Sequence, residues 1–545
     1  MKIKINKSTH ADSILSLVFV CMALIIPPLF IHLNFYPWKD EEYELMLMAD
    51  YRANPLTGLT MYFGHLWSKH IGSDTFFSFR LLAYIVNTLC VVCSSIYFYR
   101  VTRNKLLSAW IFLILQLAQS LYAWYSYEWD TMSNSILAVC CVITYSFFHR
   151  PTTLKIILIG IICSLGIFAR VPNIAVLVVM FCLIAVMKIG LREKFIYGGT
   201  FCVSLFLSSL AICILIWGSI GGFIASCIPD NIITGHESIL KLTIDGVLGV
   251  AVMVSVSVLS WIGLLAIFVI SGHLVKSDAQ RKLSYFIFTL VGLSMLLLIR
   301  ATTYLDHNFY IELFYVCLVL APLFAYIKNE DVHEPLVSSL ILLGFVLSMV
   351  AGSDVALHKL PCTPLFALVV LSFMKLRCKT VLRFLMIVSI CLFVTYPILR
   401  LKDPHTKDWI NCYTTDFGRI EKLKGIKSSE DYASYVKSVY NWAEEVEARG
   451  EKILFIGPKR YFFDYILNHT TDRVDRYPVQ RYHDDTEYQC LEQTLVDEII
   501  NRFDFVHLSY MPTDEEYALI KADFEKRGFY ITDKKPRSII LQRRQ

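Results

Sequence analysis

Asp40-Glu41-Glu42 and Glu44 put four carboxylates within five residues, just beyond the first apolar segment. If a helix starts at Asp40, then Asp40 and Glu44 share a face, as do Glu41 and Glu44. Acids crowded at the edge of a low-dielectric phase repel one another. That repulsion moves their proton affinity toward the range of a general base working near neutrality. Carboxylates are costly where a chain leaves lipid for water, so a cluster there marks a site. The competing reading is a solvated helix start, where acids favour the N-terminal dipole. A second acidic pair, Glu128 and Asp130, lies in Tyr127-Glu128-Trp129-Asp130-Thr131. It could bind a metal or hydrogen-bond an acceptor hydroxyl, or Asp130 could simply cap the helix that follows.

Two arginines interrupt apolar sequence. Arg170 divides Ile167-Phe168-Ala169 from Val171-Pro172-Asn173, and Arg300 follows Leu296-Leu297-Leu298-Ile299. Burial of a cation is expensive, so each needs an anionic partner. That partner is either a protein carboxylate or a phosphate, which the guanidinium fork fits well. His65, Lys69, Arg80, His307, His358 and Lys359 are further donors expected on the same face. Each of these serves a lipid headgroup as readily as a reaction.

The elements that must hold these groups are membrane helices. Of 545 residues, 56% are hydrophobic and only 18% charged, with a mean hydropathy of +0.53. Such a chain cannot hide its apolar surface in water. Runs long enough to cross hydrocarbon recur to about residue 401, near 13–32, 81–99, 106–126, 131–148, 156–169, 174–187, 195–220 and onward. That makes about thirteen spans. The short runs 156–169 and 174–187, hinged at Arg170-Val171-Pro172-Asn173, form either a tight hairpin or one broken unit. The first run follows Lys2, Lys4 and Lys7 and lacks a small-residue cleavage site, so it is expected to be a retained signal anchor. Cations gather on alternate turns, among them Arg100/Arg103/Lys105, Lys188/Arg192/Lys194 and Lys375/Arg377/Lys379. The positive-inside rule makes that side cytoplasmic. The N-terminus is then inside, and an odd number of spans puts the C-terminal region outside with the acidic loop. Residues 33–80 form a large outer loop with amphipathic stretches, Tyr43 to Tyr51 and Met61 to Ile71, suited to the membrane surface.

Residues 402–545 are a different material. Helices at 429–449, 491–503 and 514–527 alternate with strands at 452–456, 505–508, 529–532 and 538–542, which implies a small extracytoplasmic α/β domain. Most of the sixteen cysteines fall in apolar runs (Cys90, Cys93, Cys140, Cys141, Cys163) and act as small hydrophobes. Cys412 and Cys490 lie in the polar region and could pair. No basic stripe with interleaved aromatics points to nucleic acid.

These features together resemble the GT-C superfamily of integral membrane glycosyltransferases, nearest the bacterial aminoarabinose transferases of lipid A and the protein O-mannosyltransferases. The resemblance is carried by a single N-terminal span and the Asp40-Glu41 pair opening the first outer loop. It continues through Asn54-Pro55-Leu56, Tyr62-Phe63-Gly64-His65-Leu66-Trp67, Ile71-Gly72-Ser73-Asp74 and Phe79-Arg80-Leu81-Leu82, with Asp130 as the second outer acid. It covers about residues 1–150 by motif and is architectural beyond. The family's doubled proline is Asn54-Pro55 here. The resemblance implies a polytopic α-helical protein of the bacterial inner membrane with a periplasmic C-terminal domain. It also implies a polyprenyl-phosphate-linked sugar donor, a lipid or glycan acceptor, and Asp40 as catalytic base with Glu41 second. Arg170, Arg300, Lys69, Arg80 and His65 would serve the donor phosphate. No family metal set matches, so a divalent cation stays an option. The rival readings are a transporter or flippase of lipid-linked sugar, a polymerase or ligase of lipid-linked saccharides, and a scaffold whose tail is the active part.

Overall fold

A computed structural model describes residues 10–31, 57–122, 129–227, 414–456, 460–469, 502–508, 514–535 and 538–544, with Leu45, Met48, Tyr51, Arg52 and Tyr127 between them. The spans expected beyond residue 227, the helix at 491–503, and Cys412 and Cys490 lie outside these residues.

Up to residue 227, each apolar run is a helix: α1 (His10–Ile25), α3 (Phe76–Thr102), α4 (Lys105–Tyr122), α5 (Trp129–His149), α6 (Thr153–Ala169), α7 (Val176–Val186) and α8 (Leu191–Trp217), with the short α9 (Ile220–Ser226) after them. The helix α2 (Gly58–His70) precedes α3. Four of these segments, His10–Leu29, Phe76–Thr102, Thr131–His149 and Leu191–Trp217, are long and apolar enough to cross a membrane. Their outward faces are apolar as well: Leu17, Val203, Phe206 and Leu207 are each more than half exposed. A water-soluble protein would bury such a surface, whereas lipid is a good solvent for it.

Small and polar side chains set the helix spacing. Ser135 donates to Asn87 Oδ1 between α5 and α3 at 3.1 Å, and Gln116 donates to Thr88 between α4 and α3 at 2.7 Å. Ser164 and Ser209 meet at 2.8 Å between α6 and α8. Beside them Gly160 lets α6 approach α8 so closely that an added Cβ would collide with Ser204 Oγ and lie 3.0 Å from the Phe201 carbonyl. Close backbone approach at small residues is how helices pack where water gives no hydrophobic drive. Gly160→Val is therefore expected to destabilise the bundle by about 1–3 kcal/mol, read as a lowered melting temperature of the purified protein in detergent.

The α6–α7 connection resolves the alternatives left by its sequence. Pro172 cannot continue α6, which stops at Ala169, and Val171–Ala175 forms a 3-10 turn. Asn173 bonds Ser133 near the start of α5, and Thr144 bonds Met180 further along the same helix. The chain therefore turns back on itself as a tight hairpin.

The C-terminal region forms a four-stranded sheet, β3 (Ile453–Ile456), β4 (Phe505–Leu508), β5 (Phe529–Lys535) and β6 (Ser538–Arg543), in the order β3-β4-β6-β5. The β3–β4 pair is parallel and the others antiparallel. It is preceded by the short pair β1 (Thr415–Asp416) and β2 (Lys427–Ser428) and by α10 (Glu430–Ala448). Helices α11 (Arg460–Ile466) and α12 (Asp514–Lys526) complete it. Ser429 caps α10, and Gly450 and Gly528 end α10 and α12 with φ of +77° and +80°, a conformation that favours glycine. Strand side chains alternate between two cores. Leu454, Val506, Leu508, Ile539 and Leu541 pack with Phe524 and Phe529 of the α12 side. Ile453, Phe455, Phe505 and Ile540 pack with α10 and α11 in a core that also takes in Met48, Met61, Phe76, Phe79 and Tyr127. The tail thus shares its core with the segment around α2 and the start of α3.

His469 ties α11 to α10. Its Nδ1 faces Asp464 Oδ1 at 3.3 Å, and its Nε2 bonds Glu447. Burial disfavours the charged ring, but the hydrogen bonds and charges of Asp464 and Glu447 outweigh it and hold the imidazole pKa above its ordinary 6.5. An imidazolium held this way adds stability that is complete below about 6.5. That stability disappears as pH rises through the folded-state value. The melting temperature of the tail should fall as pH rises past that point, and His469→Gln should flatten this part of the profile.

Candidate functional site

The described part of the candidate site is built where the α6–α7 hairpin turns. Arg170 ends α6 with extended backbone, its N–H on the Gly166 carbonyl and its own carbonyl accepting from Asn173 N at 3.0 Å. The residue is 8% exposed, and its side chain, like that of Arg80, is engaged with the fold. Asn173, fully buried, donates through Nδ2 to Ser133 Oγ at 2.6 Å and to the Gly166 carbonyl at 2.8 Å. Among the described residues its Oδ1 has no hydrogen-bond partner.

Two further elements meet near this turn. Asp130 lies in the first turn of α5, three residues before Ser133. Thr60 of α2 donates to the Ala169 carbonyl at 3.2 Å, and Tyr127 donates to the Thr60 carbonyl at 3.0 Å. The start of α2 is pinned to the end of α8. Arg52 Nε donates to the Ile216 carbonyl at 3.0 Å, and Trp217 Nε1 returns a bond to the Arg52 carbonyl at 3.1 Å. Gly58 carries no side chain because the Trp217 ring would lie 2.6 Å from its Cβ. Rings cluster nearby: Tyr51 lies 5.2 Å from Tyr62 and 4.8 Å from His65, and Phe168 lies 6.0 Å from Trp217.

Of the residues singled out from sequence, Arg170 is buried at this turn and Asp130 lies in the first turn of α5. His65 sits in the adjoining aromatic group with Nδ1 at 3.2 Å from the Met48 carbonyl. Lys69 is exposed in the last turn of α2, and Arg80 is buried in α3 at 3% exposure, engaged with the fold rather than presented on the surface. Asp40, Glu41, Glu128 and Arg300 lie outside the described residues. Sequence reasoning passed over Asn173 and Arg52. The first was signalled by an amide in an apolar hairpin, the second by nothing local. Among the described residues no group of three or more His, Cys, Asp or Glu is arranged to hold a metal ion.

No family model matches the chain, and no curated protein matches it. Solved structures similar to it include two of one protein. ArnT from Cupriavidus metallidurans bound to undecaprenyl phosphate is 12% identical over 98% of each chain, with a TM-score of 0.44. The same protein in its apo state is 11% identical over 98% of each chain, with a TM-score of 0.46.

Proposed function

We propose that this chain is a membrane glycosyltransferase of the inner membrane. It moves a sugar from a polyprenyl-phosphate-linked donor to a hydroxyl of a lipid or glycan acceptor on the periplasmic face. The observation that carries the reading is the buried Arg170 at the α6–α7 turn, held beside Asn173, Asp130's helix and the outer-loop helix α2. Such a cation, in a low-dielectric surround and backed by rigid elements, suits a phosphate leaving group. The aromatic rings of Tyr51, Tyr62 and Trp217 supply flat apolar faces of the kind that pack against a sugar ring.

In the reaction, Asp40 takes the proton of the acceptor hydroxyl as that oxygen bonds the anomeric carbon. The bond from the anomeric carbon to the phosphate oxygen breaks on the opposite face, and its electron pair leaves with the polyprenyl phosphate, so the configuration inverts. Arg170, with Arg300, offsets the charge that grows on the departing phosphate. The lipid tail of the donor enters sideways between helices, which is why the enzyme resides in the membrane.

The test is to offer the reconstituted protein a polyprenyl-phosphate sugar and a hydroxyl acceptor. Release of polyprenyl phosphate and an inverted glycoside supports the reading. Movement of intact donor across the bilayer with no bond cleavage supports a flippase instead and overturns it.

A further inference from the structure

We propose that the C-terminal α/β unit is a clamp on the first outer loop, with Asp74 as the positioning residue through which it acts. The activity readout rests on the glycosyltransferase reading; the clamp itself does not.

Asp74 sits in the turn between α2 and α3. That turn is braced internally: Trp67 Nε1 donates to Ser78 Oγ at 2.9 Å, Ser73 N donates to the same oxygen at 3.1 Å, and Ser78 N donates to Thr75 Oγ1 at 3.1 Å. The Asp74 carboxylate faces the tail. Tyr465 of α11 donates to its Oδ1 at 2.6 Å, and Lys422 bonds its Oδ2. The Lys422 ammonium also lies 4.5 Å from the centroid of the Tyr465 ring. Next to this group, Phe76 meets Tyr465 edge-on at 5.2 Å and Phe462 at 6.0 Å. Phe77 lies so near Gly425, whose φ is +86°, that an added Cβ there would be 3.3 Å from the ring.

An exposed ion pair alone would be weak. Here the Lys422 side chain is only 13% exposed against 52% for Asp74, and two separate pieces of the tail, residues 422–425 and 462–465, meet on residues 74–77. Helix α11 is also anchored from behind, since Asp464, the residue before Tyr465, holds His469 and through it Glu447 of α10. From Asp74 the chain of contacts returns through Trp67 and α2 to Thr60, whose hydroxyl bonds the Ala169 carbonyl next to Arg170. The tail is therefore built to fix the loop, and the loop fixes one side of the site.

The purified full-length protein tests this with three variants: Lys422→Glu, Tyr465→Phe, and the charge exchange Asp74→Lys with Lys422→Glu. Lys422→Glu should lower kcat by roughly ten- to a hundredfold, the scale of a small misplacement of reacting groups. The donor KM should change far less, and amide hydrogen exchange across residues 58–79 should quicken. The charge exchange should restore kcat to within a few-fold, and Tyr465→Phe should reproduce the faster exchange in milder form. The proposal is overturned if Lys422→Glu lowers only the melting temperature and leaves kcat per folded molecule intact. It is equally overturned if the exchanged pair fails to recover while Tyr465→Phe is silent. Should the unaltered protein transfer no sugar, the enzyme reading fails on its own. The clamp is then decided by exchange alone: unchanged protection of residues 58–79 in Lys422→Glu overturns it, and lost protection supports it.

Discussion

Asp40→Asn abolishes sugar transfer while the protein remains in the membrane at its usual abundance. General-base catalysis is worth about 10²- to 10⁴-fold, so the loss should reach that scale. Asparagine is chosen because it caps a helix N-terminus about as well as aspartate. If Asp40 only begins a solvated helix, the variant keeps both its fold and its turnover. If Asp40 is the base, the variant keeps the fold alone. Normal turnover per molecule in Asp40→Asn removes the proposed base. Glu41→Gln, measured beside it, should cost less, since Glu41 is the second choice for that role.

Arg170→Gln should lower transfer by about 10²- to 10³-fold, the range seen when a donor that stabilises developing charge is lost. The loss should appear chiefly in the use of the sugar donor, with acceptor dependence little changed. Glutamine retains hydrogen-bonding capacity at the hairpin turn but no charge. Arg170→Lys restores charge without the planar fork and should recover only part of the activity. A donor dependence that does not move in Arg170→Gln would make the arginine a prop of the hairpin. Arg300→Gln is the natural comparison, because Arg300 was singled out on the same grounds.

Much of the fold was legible because its signals are local. Seven apolar runs of helical length became helices α1 and α3 through α8. Gly450 and Gly528 marked the ends of α10 and α12 because only a left-handed turn closes a helix so abruptly. The strands at 453–456 and 505–508 announced themselves as short apolar runs between turn residues. Pro172 ended α6 but could not say whether the chain would reverse, since that depends on Asn173 finding Ser133 on another helix. The two-residue strands β1 and β2 and the seven-residue α11 carried too little pattern to be seen.

The site was legible in part for the same reason. Arg170 stood out because an isolated cation in apolar sequence is anomalous wherever the chain goes. Asp74 was visible as part of a motif, yet its partnership with Lys422 and Tyr465 was not, because contacts across 348 and 391 positions leave no periodicity behind. Lys69 and Arg80 show the limit from the other direction. Both are cations in the same stretch of chain, yet one is exposed at a helix end and the other is buried.

The shared core of tail and outer loop also sets an order of manufacture. Asp74 leaves the ribosome 348 residues ahead of Lys422. The segment around Asp74 therefore waits, unfinished, while the intervening residues are made. A message cut short by a premature stop before Lys422 yields a product that never receives its closing piece. Synthesis thus carries its own proofreading: only a ribosome that has read past Tyr465 releases a chain in which this core can close.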